Sequence, residues 1–72
     1  MAIKEVKIRP DEEYITLNVL LKIEDLISTG GMAKIFLQNN NVFVNEIKEE
    51  RRGRKLYRED VIKIGSTSYV IK

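Results

Sequence analysis

Two adjacent glycines, Gly30 and Gly31, stand where a helix is predicted to begin, although glycine loses more backbone entropy on folding than any other residue. The first N–H groups of a helix have no partner inside the helix and lie at the positive end of its dipole. Because glycine has no side chain, these groups could contact a phosphate oxygen directly. Helical spacing places Lys34 and Gln38 on the same polar face, where the lysine would add a formal positive charge. The pattern indicates a phosphate-binding site, but glycines that merely permit a sharp turn between two helices would produce it equally well.

The densest run of positive charge surrounds Gly53. It consists of four basic residues: Arg51, Arg52, Arg54 and Lys55. Arginine can contact two phosphate oxygens at once, so the run suits a polyanion such as a nucleic acid. The alternative is a solvated loop that Glu49 and Glu50 neutralise, or one that protects a sheet edge from aggregation.

Catalytic and metal-binding chemistry find no support in the sequence. It contains neither cysteine nor histidine, which removes the commonest general base and the thiolate and imidazole metal ligands. The acidic residues Asp11, Glu12 and Glu13 belong to a polar linker, where no burial would separate their pKa values for acid–base catalysis. We therefore expect a small non-enzymatic binding module with no catalytic residue, no cofactor and no metal site.

Charge is distributed unevenly along the 72 residues. Residues 1–31 have a net charge of −2 and residues 32–72 a net charge of +4, and a one-sided basic surface is typical of proteins that bind polyanions. The length fits one domain, residues 1–72, of a size that buries only about 60% of its unfolded surface. The first ten residues contain no long apolar run, so we expect no signal peptide and no membrane span, and we expect a cytoplasmic monomer.

The elements that would position these groups begin with a strand at residues 3–9 and an acidic turn at 10–13. Thr16 is a suitable N-cap for a first helix at 17–27. The apolar stripe of this helix is wide, which predicts burial on most of its circumference.

A second helix is predicted at 30–39, with Ser28 or Thr29 as its cap and three asparagines, 39–41, at its end. Asparagine tolerates the left-handed conformation that often ends a helix. The predicted core face of this helix comprises Met32, Ala33, Ile35, Phe36 and Leu37.

The second half reads as strands. The pattern predicts a strand at Val42–Val44, a tight turn at Asn45 and Glu46, and a hairpin of residues 61–64 and 68–71. Because the helices are grouped rather than alternating with strands, the order favours an α+β fold, with the helix pair packed on a small, mostly antiparallel sheet.

The aromatic residues are scattered along the sequence. They are Tyr14, Phe36, Phe43, Tyr57 and Tyr69. We predict no row of exposed aromatic side chains on which bases could stack, which disfavours generic binding of single strands.

Three stretches of the chain resemble the S4 RNA-binding domain, a family named for a small-subunit ribosomal protein. They are the helix junction STGGMAK, its continuation IFLQNNNVFVN and the basic segment RRGRKLYREDVI. The core of the resemblance runs from residue 17 to about residue 64, and short stand-alone bacterial members of the YaaA type are similar nearly end to end. The family usually has glycine at the positions of Asn40, Glu46 and Glu59. At Glu46 a positive φ would cost about 1 kcal/mol.

The resemblance implies RNA binding by the second helix and the basic loop that follows. Transferred to this sequence, the RNA-binding face would consist of Gly30, Gly31, Lys34, Gln38, Arg51, Arg52, Arg54 and Lys55. It implies a structured target, either ribosomal RNA or a ribosome-assembly precursor, and it allows a ribosomal or RNA-processing protein as partner. The alternative is a protein–protein adaptor whose basic face binds an acidic partner or recruits an RNA-modifying enzyme.

Overall fold

The computed structural model describes residues 2–72 and shows a small α+β domain. Its helices are α1 (Leu17–Ile23) and α2 (Ala33–Asn39), the latter directly preceded by one turn of 3₁₀-helix (Gly30–Met32). Its strands are β1 (Ala2–Val6), β2 (Tyr14–Thr16), β3 (Val42–Val44), β4 (Ile47–Lys48), β5 (Lys55–Tyr57), β6 (Val61–Ile64) and β7 (Thr67–Ile71). The grouped helices and the strands that follow confirm the predicted fold class.

The strands form two sheets. Five of them lie in the order β1-β7-β6-β3-β4, in which β1 runs parallel to β7 and the other neighbours are antiparallel. The remaining two, β2 and β5, form a separate antiparallel pair that the sequence pattern did not predict. This small sheet joins residues 14–16 to residues 55–57, so it holds the segment that contains Lys55 against the start of α1.

Side chains of both helices and of the central strands form one hydrophobic core. Leu20 and Leu21 of α1 and Leu37 of α2 belong to the same buried cluster as the strand residues. In β6, Ile62 is fully buried between the exposed residues Val61 and Lys63, which is the alternation expected of a strand with one covered face.

The first helix is shorter than predicted, because it ends at Ile23 rather than near residue 27. Asp25 takes a left-handed conformation with φ of 61°, its N–H donates to the carbonyl of Lys22, and the N–H of Leu26 donates to that of Leu21. These two bonds define a Schellman motif, in which glycine usually occupies the position of Asp25. Leu26 and Ile27 follow the motif and pack against the core from outside the helix. Their spacing continues the helical pattern only by coincidence.

The predicted burial of the helices was also too wide. Val19 and Ile23 of α1 are 38% and 55% exposed, and Met32 and Ile35, assigned to the core face of the second helix, are 44% and 58% exposed. Thr16 is confirmed as the N-cap of α1, since its Oγ1 accepts a hydrogen bond from the N–H of Val19 over 3.4 Å.

The second helical segment begins and ends by other means than predicted. Thr29 occupies the N-cap position of the 3₁₀ turn but its side chain makes no capping bond, and the Ser28 hydroxyl donates to the sulfur of Met32 instead. At the other end Asn40 is extended, with φ of −133°, rather than left-handed. Its amide Nδ2 donates to the carbonyl of Phe36 over 3.0 Å, so the side chain satisfies one of the final carbonyls of the helix.

The turn between β3 and β4 has Glu46 at a position where the family usually has glycine. Asn45 and Glu46 have φ values of 51° and 71°, as a two-residue type I′ turn requires. Glu59 likewise has a positive φ of 76°. Both glutamates therefore adopt the backbone that glycine would supply with less strain.

The N-terminal strand is also shorter than predicted. It ends at Val6 rather than Arg9. Val6 and Ile8 nevertheless both enter the core. The acidic segment 10–13 forms a turn as predicted.

Candidate nucleic-acid interface

The basic loop, defined as residues 51–54, is attached to the start of α1 by backbone hydrogen bonds. The N–H of Leu17 donates to the carbonyl of Arg54 over 2.8 Å, and that of Asn18 donates to the carbonyl of Arg52 over 2.9 Å. Because the first N–H groups of a helix have no acceptor within it, the loop carbonyls satisfy donors that would otherwise need water. The position of the loop is therefore fixed by α1.

The glycine pair, Gly30 and Gly31, lies beside the same end of α1. A Cβ atom at Gly30 would lie 3.3 Å from Nδ2 of Asn18, which is close enough that the asparagine would have to shift. A Cβ atom at Gly31 would meet nothing within 4 Å, and its φ is not in the left-handed region. The close approach of Asn18 explains a glycine at position 30, whereas nothing in the fold requires one at position 31.

Asn18 thus brings together two parts of the predicted site that are distant in the sequence. Its side chain contacts Gly30, and its backbone N–H binds the carbonyl of Arg52. Lys34 and Gln38 follow along α2 and are exposed. In the part of the chain from residue 2 to residue 72, neither side chain has a hydrogen-bond or ion-pair partner. Sequence reasoning missed Asn18, because its role depends on the approach of two segments that are distant in the sequence.

Two arginines of the predicted site share one buried carboxylate. Glu49 is 6% exposed, and its carboxylate is bound by Nε of Arg51 at 3.0 Å, by Nη2 of the same side chain at 3.2 Å, and by Nη1 of Arg54 at 3.0 Å. The backbone N–H groups of Glu50 and Arg51 also donate to it. The sequence suggested both Glu49 and Glu50 as neutralising groups, and the structure assigns this role to Glu49.

These contacts control the protonation of the cluster. Hydrogen bonds from the Arg51 side chain lower the pKa of Glu49 from 4.5 to about 2, against the opposing effect of burial, with further contributions from the Arg51 backbone and Arg54. The same hydrogen bond raises the pKa of Arg51. At neutral pH the carboxylate therefore stays ionised and orients both guanidinium groups.

The remaining basic residues of the site are more accessible to a ligand. Arg52 is exposed, and within the described chain it has no ion-pair partner. Lys34 is likewise exposed and has no ion-pair partner among residues 2–72. Lys55 lies in β5 with its Nζ 5.1 Å from the centre of the Tyr14 ring. The positive charge available to a polyanion thus comes mainly from Lys34, Arg52 and Lys55. Arg51 and Arg54 contribute less, because the Glu49 carboxylate binds both and partly neutralises their charge.

Two aromatic residues that are distant in the sequence meet in the structure. Tyr14 of β2 and Tyr57 of β5 face each other across the ladder, with ring centres 5.6 Å apart. They are 37% and 46% exposed. An exposed aromatic pair therefore lies next to Lys55 at the edge of the basic loop, and no local pattern in the sequence could have revealed it.

Residues 6–72 match the model of the family described as S4 domain. The chain belongs to the S4 domain family. This S4 domain is also 54% identical over 54 residues to a protein of Bacillus subtilis (strain 168) named "Probable ribosome maturation protein RlbA". The match covers 75% of this chain and 76% of the relative. The family that the three sequence stretches indicated is thereby confirmed.

One further arginine of the S4 domain is used for structure. The guanidinium of Arg58 donates to the carbonyls of Lys72, Glu12 and Arg9 at 3.0, 2.9 and 3.0 Å. It therefore joins Lys72 to the acidic turn, and each of its three nitrogens donates one hydrogen bond within the protein. Arg58, which is not among the predicted RNA-binding residues, therefore has a structural role.

Residues 2–72 contain neither a membrane-spanning helix nor a cluster of metal ligands. No helix between residues 2 and 72 is both long and apolar enough to cross a bilayer. In that part of the chain no three acidic, histidine or cysteine side chains come together in a way that could hold a metal ion.

Proposed function

We propose that this S4 domain is a non-enzymatic protein that binds structured RNA, in ribosomal RNA or a ribosome-assembly precursor. Membership of the S4 family and similarity to a protein named for ribosome maturation support an RNA target related to the ribosome. The net charge of +4 in residues 32–72 supports a polyanionic ligand. Such a role would be carried out in the cytoplasm, and a ribosomal or RNA-processing protein partner is compatible with it.

The observation that most supports this function is the meeting of the glycine pair and the basic loop at Asn18. A phosphate near Gly31 could approach the backbone, because the space beside its Cα is open and, within residues 2–72, the amides of Gly30 and Gly31 donate to no other group. The same phosphate or its neighbour would be within reach of Arg52, whose backbone is bonded to Asn18. Two independent sources of positive potential would then act on one stretch of RNA backbone.

The remaining residues of the proposed site extend this contact in two directions. Lys34 and Gln38 continue it along α2, and Lys55 continues it along β5. Ion pairs with Glu49 restrain the side chains of Arg51 and Arg54. These side chains would therefore lose less conformational entropy on binding phosphates than unrestrained ones. Contacts to phosphates and sugars position a protein but do not read sequence, so recognition would depend on RNA shape.

Binding to three nucleic acids of equal length tests this function. We expect the protein to bind a hairpin RNA more tightly than an unstructured RNA or duplex DNA, and we expect the affinity to fall steeply with salt. A clear preference for the unstructured strand would contradict recognition by shape. Absence of RNA binding, together with binding of an acidic polypeptide, would favour the adaptor alternative.

A further inference from the structure

The two-stranded sheet presents an aromatic and basic outer face. Side chains alternate between the faces of a strand, so Tyr57 and Lys55 of β5 lie on the same side as Tyr14 of β2. The opposite face holds Ile15 and Leu56, which are 6% and 0% exposed. Because the inner face anchors the sheet in the core, the tyrosines lie on a rigid support.

The two tyrosine rings differ in how accessible they are to a ligand. The Tyr14 ring has the Lys55 ammonium 5.1 Å from its centre, and it packs against Tyr57 at an interplanar angle of 51°. Tyr57 is the more exposed of the pair, at 46%. Tyr14 therefore supports the pair from one side, and Tyr57 presents the ring that a ligand could reach.

Tyr57 also lines an open cavity of about 590 Å³. The other lining residues are Arg51, Gly53, Arg54, Lys55 and Asp60. Both carboxylate oxygens of Asp60 accept hydrogen bonds from the protein, from the N–H of Tyr57 at 2.8 Å and from the amide of Asn45 at 3.0 Å. The acidic residue is thus occupied within the fold, and the cavity combines one aromatic ring with cationic side chains. Its volume is in the range of pockets that hold small ligands.

We propose that Tyr57, supported by Tyr14, stacks on a single unpaired base of the RNA, while Lys55 and Arg54 contact the phosphates on either side of that nucleotide. The inference rests on the proposed function, because it assigns the ligand of part of the same surface. Aromatic rings stack on any base, and cations beside them bind the backbone, so the cavity matches the chemistry of one nucleotide. One such ring pair does not form a track for a long single strand.

The consequence is a preference within structured RNA. A hairpin whose stem contains a one-nucleotide bulge offers an unpaired base close to a duplex, whereas a fully paired stem offers only phosphates and sugars. The base-stacking surface, defined as Tyr14 and Tyr57, therefore predicts tighter binding to the bulged hairpin. The identity of the bulged base should matter little, because stacking does not read hydrogen-bonding groups.

The test compares two hairpins that differ in one base. Both have the same stem and the same bulged phosphate, but in one of them the bulged nucleotide is abasic. We expect the wild-type chain to bind the hairpin with the intact base more tightly, by about fivefold at least and about 150-fold at most. The substitution Tyr57→Leu should abolish this difference, and Tyr57→Phe should keep it, because phenylalanine retains the ring. Arg52→Gln should weaken both hairpins by the same factor and leave their ratio unchanged.

Tyrosine fluorescence gives a second readout that needs no variant. The chain has three tyrosines and no tryptophan, and Tyr69 is buried at 4% exposure. Stacking of a base on Tyr57 should quench the emission more with the intact bulge than with the abasic one. Equal affinity and equal quenching for the two hairpins would overturn the stacking proposal while leaving RNA binding in place. Failure to bind either hairpin would overturn the proposed function as well.

Discussion

Gly30 lies against the side chain of Asn18, so closely that a Cβ atom at position 30 would be 3.3 Å from Nδ2. Oδ1 of the same asparagine is buried and, within residues 2–72, has no hydrogen-bond partner. The glycine pair, α1 and the basic loop meet at this asparagine, so the packing here should respond measurably to small changes.

Alanine substitutions should separate the two glycines by stability. Gly31→Ala should raise the free energy of unfolding by about 0.5–1 kcal/mol, because alanine restricts the unfolded chain and meets no neighbour. Gly30→Ala should gain less or destabilise, because Asn18 must move. Urea denaturation of both variants measures the difference. The control is the double variant Asn18→Ala, Gly30→Ala, compared with Asn18→Ala alone. In that background alanine at position 30 should no longer carry the penalty of displacing Asn18. Equal stability of the two single variants would show that the contact is unimportant.

A negative charge at the second glycine should weaken RNA binding without unfolding the domain. Gly31→Glu places a carboxylate where a phosphate is proposed, in open space at the start of a helical segment that tolerates acidic residues. Gly31→Gln is the matched control, since it has nearly the same size and no charge. Affinity for the hairpin should fall for both and fall further for the glutamate. If the folded glutamate variant binds as well as wild type, the phosphate contact is absent and the glycines only permit a turn.

Charge removal should matter in the basic half and not in the acidic half. Arg52→Gln should weaken binding to all structured RNAs by a similar factor and flatten the slope of log affinity against log salt by about 0.7–0.9. Lys7→Gln removes a charge that is also exposed, from the acidic half, and should change neither quantity. Titrations of both variants at several salt concentrations measure the slopes. Equal losses from the two substitutions would place the binding face elsewhere.

Loss of the Glu49 carboxylate should destabilise the basic loop and remove part of the acid sensitivity. The pKa of Glu49 in the folded protein, about 2, lies below its ordinary value of 4.5, so the unfolded chain binds this proton more tightly. The stabilisation is therefore complete above about pH 4.5 and is lost as the pH falls towards 2. The shift corresponds to at most about 3 kcal/mol, and we expect about 1–2 kcal/mol because Arg51 is exposed to solvent.

Unfolding by urea between pH 7 and pH 2 measures this contribution. Glu49→Gln should lower the stability at pH 7 and flatten its decline below pH 4.5. Glu50→Gln, at the neighbouring exposed position, is the control and should resemble wild type. A Glu49→Gln variant with the acid sensitivity of wild type would mean that the carboxylate does not stabilise the loop.

Local interactions were predictable from the sequence. Thr16 caps α1 because its hydroxyl reaches an N–H three residues ahead, and the turn at Asn45 and Glu46 follows from the two flanking apolar segments. The strand predicted at residues 61–64, as part of a hairpin, is also observed as β6. In each case the pattern and its partner are separated by only a few residues, so local chemistry is sufficient.

The site depended on contacts between distant segments. The end of α1 was misplaced because apolar spacing continued through Asp25, and tertiary packing, rather than helical periodicity, buries the residue at 27. The exposed outer faces of the helices were misjudged because the sequence does not show which apolar side chains the sheet covers. Charge density singled out the basic residues as candidates, but it could not show which arginines share Glu49.

The sequence by itself determined the α+β order, the charged half and the residues from which an RNA-binding face could be built. Tertiary structure decided that Gly30 and Arg52 meet at Asn18, and that Tyr14 pairs with Tyr57 beside Lys55. The physical reason is that hydrophobic periodicity specifies which side of an element is buried but not which distant element lies next to it. Tertiary packing decides which distant elements become neighbours. The burial of Ile15 and Leu56, for example, sets the register of β2 and β5.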